Sequence, residues 1–580
     1  VYFFYSNWLM QEIDMLLVIN CHSLTFMNCK FQTLSKVERE KSILKLYNVS
    51  QIYIHSCFIL DIRQIFIRMK TCKIVHVLQT SILGYNYQNH AVFVLISVTC
   101  VILKHMLFTD NTGSLIIAKD SETLIFDSHK ITESKSVTSI IKITYSLDSF
   151  APIQMVVLRS NFMKVKIKSE SMIYFKKFYN LAEIEQNVHP KIKITIASNN
   201  FKNCLTNTNG GIILSENSLP NYFKKTVDIV SISIVIKNSS FVENTANGKG
   251  GCLAVSGVKR LTITSSQFYL NSAGIYGGAI YGRFLQKLTI HDSYFIQNNA
   301  DKAGGAIYIT DSYNVSYINT IFEGNHLIVR EGNTSGSGGC SFLNKINLFA
   351  SKFCKFSGNS ARIGGAIFAR SIHLIWNLKN VFRGNNAANQ GGSIFAIKVN
   401  RVSVLNSSFI ENSATYGGGS VNIIKGRLIL VAGGALLSNI GLQGGSLKVS
   451  ESELLNIYFT TFAQNWARKV VESDKEEGGC IYSMHTDNIA IKHAKFLMNM
   501  ADKDGGALFM IHAIEIKIRL SYFVNNWAEF TGGALDLRHV VTLKNSMVIF
   551  YGNKASGAAG IYTSRVNHIK TMNCSIDSNT

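Results

Sequence analysis

Proline is nearly missing from this chain: 3 residues in 580, against 43 glycines. A backbone whose N–H groups are mostly spent in ladders tolerates few prolines, and one full of tight turns uses many glycines. Charge is sparse at 16%, and acids are the scarcer sign, 36 against 58 Lys and Arg. A hydrophobic content of 47% excludes a disordered chain. The net charge of +22 admits polyanions as partners. Residues 1–200 hold 22 Lys+Arg against 14 Asp+Glu, however, and the remainder 36 against 22. An excess spread this evenly forms no dedicated face, so no specific nucleic-acid partner is expected.

Metal and disulfide signatures are lacking too. The 11 Cys are odd in number, include no Cys-x-x-Cys and form no Cys/His group at zinc spacing; the 15 His have no metal spacing. No metal or other cofactor is expected. Cys252, Cys340 and Cys480 each follow a glycine pair, a small-residue slot that reads as a buried thiol. Long apolar runs are absent. The longest uncharged one, Ala91 to Leu103, has thirteen residues, where a spanning helix needs about 20. Its β-branched residues favour a buried strand. Residue 1 is Val and no signal peptide is visible. The chain is therefore expected to be truncated at both ends, with any membrane attachment in segments outside it.

What is present is a repeat. Phe-x-x-Asn begins at Phe241, Phe268, Phe295, Phe322, Phe356, Phe382, Phe409, Phe462, Phe496, Phe523 and Phe550. Successive spacings are 27, 27, 27, 34, 26, 27, 53, 34, 27 and 27. The gap of 53 hides a weak copy, Leu436 to Asn439, and Ile576 to Asn579 is another. A glycine pair follows most of these Asn at five or six residues: Gly250 after Asn244, Gly277 after Asn271, Gly364 after Asn359, Gly417 after Asn412.

Short alternating runs such as Ala306-Ile307-Tyr308-Ile309 fill the rest, and no amphipathic stretch reaches helix length. This excludes Rossmann-like and barrel folds of alternating strands and helices. The pattern predicts an all-β chain, a right-handed parallel β-helix solenoid with coils of about 27 residues. Residues 201–580 are its repeats. Residues 1–200, without glycine pairs but with β-rich runs, read as divergent coils continuous with it. Phe should point inward and stack on the Phe of the next coil. Asn should tolerate left-handed backbone and ladder its amide. The glycines should supply positive φ or room where chains pass closely.

Gly277-Gly278-Ala279-Ile280, Gly304-Gly305-Ala306-Ile307 and Gly364-Gly365-Ala366-Ile367, paired with Phe-x-x-Asn, resemble the repeats of chlamydial polymorphic outer-membrane proteins. Those are autotransporter-like surface adhesins with β-helical passenger domains. The resemblance covers residues 201–580 well and 1–200 poorly. It implies a β-helix of the pectin-lyase-like kind at a cell surface, associated with a membrane, and it implies no particular activity. No C-terminal membrane barrel follows in this chain. The composition, rich in Ile, Asn, Ser and Lys, is similar to that of AT-rich protists, and ciliates carry large membrane proteins with similar repeats; a protist source is the expectation.

β-Helices also house polysaccharide lyases and glycoside hydrolases, which need paired acids. No Asp-Asp pair or Gly-His-Gly occurs, and Asp292, Asp301, Asp311 and Asp536 fall singly. Asp502 and Asp504 alternate on a turn, where acids are usually solvated. No catalytic residue is assigned. A cleft lined by clustered carboxylates with Lys or Arg would favour an enzyme.

Insertions are more informative. Asn325 and Asn465 reach their glycine pairs after thirteen residues, seven more than usual. Both loops should leave one corner of the solenoid, five coils or roughly 24 Å apart, and insertions on one face often form the binding face of a repeat protein. The candidate binding residues are Arg330, Glu331 and Asn333 in the first loop, and Arg468, Lys469, Asp474 and Lys475 in the second. A third insertion, near Ser215 to Asp228, leaves from a different corner. Sequons at Asn48, Asn238, Asn314, Asn333, Asn406 and Asn573 permit N-glycosylation of a secreted chain.

The reading taken is a non-enzymatic, surface-exposed solenoid that offers an extended face to a cell-surface protein or glycan. A polysaccharide-cleaving β-helix and an intracellular scaffold are the competing classes.

Overall fold

The computed structural model describes residues 1–10, 16–33, 42–62, 64–85, 91–136, 139–145, 153–178, 191–218, 232–328, 336–468 and 477–580. Among them every regular element is a strand, and the strands pair in parallel. The chain divides into two compact units, Val1–Tyr294 and Phe295–Thr580, each a parallel β-solenoid.

One coil of the second unit illustrates the rest. A long strand, Ile367–Leu378, points Ile367, Ala369, Ile372 and Ile375 inward. Its alternation breaks at Ser371, whose φ of 53° bends the strand and restarts the pattern. A turn at Lys379 and buried Asn380 leads to a three-residue strand, Val381–Arg383, with only Phe382 inward. A second turn, Gly384 and buried Asn385, leads to Asn386–Gln390, and Gly391-Gly392 closes the coil. Three stacks result: a long sheet, a phenylalanine sheet and a short sheet. Each coil buries few residues, but every one of them lies on its counterpart one coil away, so a core forms along the axis rather than around a centre.

Phe356, Phe382 and Phe409 stack face to face at 4.6 Å and are fully buried. The weak copies are in register. Leu436 pairs with Phe409 and Phe462, and Ile576 with Phe550. Cys252, Cys340 and Cys480 are fully buried, and burial raises their thiol pKa values above the ordinary range.

Asn and Gly divide their tasks differently from the expectation. The left-handed residue is the one before the motif Asn: Glu411 (φ 55°) before Asn412, Gln464 (φ 56°) before Asn465. Asn itself turns inward to carry the amide ladder, which the left-handed neighbour makes possible by reversing the chain. Where a glycine of the pair has positive φ it is the first, with 66° at Gly391. The second provides clearance, since a Cβ on Gly392 would stand 2.0 Å from the Gly419 carbonyl oxygen. Register pairs Ile394 with Val421, so Gly418-Gly419, not Gly417-Gly418, is the structural pair of that coil.

In the first unit the long strand is split in most coils, as in Ile65–Lys70 and Ile74–Leu78. Gln51, Ile74, Cys100 and Thr123 are successive register partners, so coils here take 23 or 26 residues. Ala91–Ile96 and Cys100–Lys104 are buried strands of this sheet, as the β-branched run predicts. No helix among the described residues is long and apolar enough to cross a membrane.

Candidate functional site at the glycine corner

The glycine corner is where variation concentrates in the second unit. The described ends of both seven-residue insertions are fixed there by identical backbone contacts. Ile328 N donates to Ala300 O (2.9 Å) and Arg468 N to Gly441 O (2.9 Å). The chain resumes at Ser337, which bridges Ala303 and Ile363, and at Glu477, which bridges Gln443 and Asp504. The amide ladder Asn325–Asn359–Asn385–Asn412–Asn439–Asn465 counts five coils between them. Arg330, Glu331, Asn333, Lys469, Asp474 and Lys475 lie outside the described residues. Arg468 is described, and its guanidinium covers the Trp466 ring at 4.9 Å. Most of the third insertion, residues 219–231, is also outside them; its described start, Ile213–Ser218, belongs to the long sheet.

Between the insertions the second residue of each long strand faces outward beside the corner. Tyr308, Phe342, Phe368 and Phe395 form an aromatic ladder there, with ring centroids 4.7, 4.8 and 5.4 Å apart. The rings shield one another, which leaves Phe368 8% and Phe395 6% exposed. The column continues through Asn422, Lys448, Tyr482 and Phe509 to Asp536.

At Asp536 the corner becomes charged. Arg538 grips Asp536 with two nitrogens, Nε to Oδ1 and Nη2 to Oδ2, both at 2.9 Å. It also donates to Asp504 Oδ2 at 2.8 Å. The Thr531 hydroxyl stands 2.7 Å from Asp504 and 2.5 Å from Asp536, with one proton to give. Phe509 and Tyr562 flank the guanidinium at 5.0 and 5.7 Å. Asp504 and Asp536 are buried. Burial pushes the Asp536 carboxyl up, opposed by the hydrogen bonds from Arg538 and Thr531. Glu477, partly buried one coil before Asp504, has no such grip. Burial raises its carboxyl to about 7, although Lys503 and Arg538 oppose the rise.

Asp504 is thus a correction: it is not a solvated turn acid but a buried ion-pair partner. Asp502, two residues away, accepts from Trp466 Nε1 at 2.6 Å. Nor does Asp536 stand singly, because coils bring residues 27 to 34 positions apart side by side. A further stack that sequence reading missed is His485–His512–His539, at the left-handed bend of three successive long strands, with centroids 4.5 and 4.8 Å apart. Among the described residues no three His, Cys, Asp or Glu converge as a metal set.

Of the sequon residues, Asn48, Asn238, Asn406 and Asn573 are exposed at left-handed turns, with φ between 45° and 52°. Asn314 is partly buried on a long strand.

A search of curated proteins found no match. The family model of the Chlamydia polymorphic membrane protein repeat matches residues 292–310 and 353–370. Each matched segment contains one phenylalanine strand, one ladder Asn and one glycine pair. Nothing in the match bears on a protist source. The chain carries repeats of the Chlamydia polymorphic membrane protein type, wound into parallel β-solenoids.

Proposed function

We propose that this chain is a non-enzymatic, surface-exposed solenoid that binds a cell-surface protein or glycan along its glycine corner. The observation that carries the reading is the pair of seven-residue insertions at one corner, five ladder steps apart, on a scaffold that is otherwise nearly invariant. Fold maintenance uses Phe, Asn and Gly, and it leaves the corner free to vary. The repeat type, found in outer-membrane surface proteins, supports a surface location, and exposed sequon residues suit one.

The test is retention of beads coated with the full chain on protein-coated and glycan-coated surfaces. Removing residues 329–335 and 469–475 restores the ordinary six-residue spacing. Retention should fall by about tenfold or more, as loss of a binding hot spot does, with strand content unchanged. Equal retention would sink the reading.

One observation favours a second reading, polysaccharide cleavage: Glu477, Asp504 and Asp536 gather around Arg538. Two of these acids are consumed by Arg538 and Thr531, so Glu477 alone remains as an acid–base group, whereas hydrolysis needs a pair. Release of reducing or unsaturated ends from plant or bacterial polysaccharides, abolished in Glu477→Gln, would establish that reading. An intracellular scaffold would carry no glycan at Asn238 or Asn406, which mass spectrometry of the native protein reads directly.

A further inference from the structure

A cleft of about 350 Å³ opens on the first unit, far in sequence from the insertions. It crosses three successive coils at the corner between the phenylalanine and short sheets. Asp110, Asn111 and Thr112 come from one coil, Glu133 and Lys135 from the next, and Lys164 and Lys166 from the third. The placement follows from two columns. Asp110, Glu133 and Lys164 occupy the left-handed turn, with φ of 57°, 51° and 53°, and project outward. Lys135 and Lys166 follow two residues later and are direct register partners in the short sheet.

The floor is rigid. Asn111 is buried; it accepts from Tyr85 N (2.6 Å), donates to Ile82 O (3.2 Å), and its carbonyl receives Lys135 N (2.7 Å). One charge pair is satisfied internally: Lys164 Nζ lies 3.1 Å from Glu133 Oε1. That leaves Lys135, Lys166 and Asp110, none of which has an ion-pair or hydrogen-bonded side-chain partner among the described residues. Like charges directly opposite on paired strands destabilise a sheet, and folding gains nothing from placing two lysines there. A bound anion between them would offset that repulsion.

We infer that this cleft binds an acidic sugar unit, its carboxylate between Lys135 and Lys166 and its hydroxyls donating to Asp110. The chemistry of the lining selects this class. Two adjacent ammonium groups offer donors for an anionic group. A carboxylate beside them repels a bare anion but accepts from hydroxyls. Every side chain that lines the cleft is polar or charged and none is aromatic, so a ligand rich in polar groups suits it better than an apolar peptide side chain. The columns run along the axis, which suits a chain of such units. The inference takes the glycan arm of the surface-binding reading, yet it rests on other residues and another unit.

The test is calorimetric titration of the full chain with a galacturonic acid trisaccharide, its neutral galactose counterpart, and inorganic sulfate. The acidic trisaccharide should bind, and the neutral one should bind weaker by about tenfold or more, the scale of one lost charge-assisted bond. Lys135→Gln/Lys166→Gln should abolish the difference without lowering the melting temperature, because it removes a like-charge pair. Asp110→Asn should narrow the preference for the sugar over sulfate. Equal binding of the neutral sugar overturns the inference. So does undiminished binding by the double lysine variant, absence of binding at millimolar acid sugar, or sulfate binding as tightly as the trisaccharide. Deleting residues 329–335 and 469–475 should leave this binding intact while abolishing surface retention, so each idea can fail alone.

Discussion

Asn385 and Asn412, one coil apart, meet at a single oxygen. Asn412 Oδ1 accepts both the backbone N–H and the Nδ2 amide of Asn385, each at 3.0 Å, while that amide also donates to the Phe356 carbonyl at 2.9 Å. The contact recurs from Asn298 to Asn325 and on to Asn579. Each Asn thus closes its own turn and caps the turn before it, in a fully buried site.

Replacing Asn412 by Ala should therefore expose two unpaired buried donors on Asn385. The expected cost is about 2–5 kcal/mol, from about 1–3 kcal/mol for each orphaned group. Coils couple mainly to their neighbours, so the loss should appear as faster amide hydrogen exchange around residues 380–440, fading beyond them. Uniform exchange along the unit would refute this locality.

The glycine pair separates two kinds of cost. Gly392→Ala drives a methyl toward the Gly419 carbonyl and the Ser413 backbone and should prevent the corner from closing, which soluble yield and melting temperature would register. Gly384→Ala meets nothing within 4 Å and pays only for its φ of 59°, about 1 kcal/mol. Gly384→Asn should be milder still, since Asn525 occupies that slot with φ of 54°.

Arg538→Met leaves Asp504 and Asp536 buried without their counter-charge. A loss of about 2–4 kcal/mol is expected, the partial exposure of the guanidinium trimming the usual cost of breaking a buried pair. Adding Asp504→Asn and Asp536→Phe should restore most of it, because Phe509 already fills the equivalent position one coil earlier. Chemical denaturation of the three variants decides the point.

Glu477 carries a pH signature. Its carboxyl is raised to about 7 in the folded chain by burial, above its value in an unfolded one. The folded state therefore holds a proton that the unfolded state has released, and stability falls as pH rises from about 4.5 toward 7. Glu477→Gln should melt above the parent at pH 8 and match it at pH 4; an advantage that does not change with pH would contradict the assignment.

The His485–His512–His539 stack has the opposite sign. Burial first, and then the two flanking imidazoles, lower the central His512. Its neutral form favours folding, and that contribution is lost as pH falls through the lowered value. NMR titration should find His512 protonating below the ordinary histidine range on acidification.

The sequence alone determined the repeat, its period and the identity of its inward residues. Phe, Asn and Gly answer to one coil's local geometry: a slot for a ring, an amide that must face two turns, a φ or a clearance. Local demands repeated along the chain are legible as spacing, and this is why even Leu436 and Ile576 could be assigned to the phenylalanine column. The common corner of the two insertions was legible for the same reason.

Outward residues obey no such rule, and only the tertiary structure decided what they meet. Asp504 read as a turn acid and Asp536 as a single one, and nothing in the sequence singles out Arg538, Lys135 or Lys166. Stacking sets them side by side because coils of 23 to 40 residues differ in length while their registers do not. Left-handed φ likewise fell on the residue before each Asn; Gly324, Gly358, Gly384 and Gly552 suit it by propensity, but Glu411, Gln464 and Met498 accept it under the constraint of the coils above and below. The repeat sets the scaffold through local physics, and the contacts across coils set the chemistry on its surface.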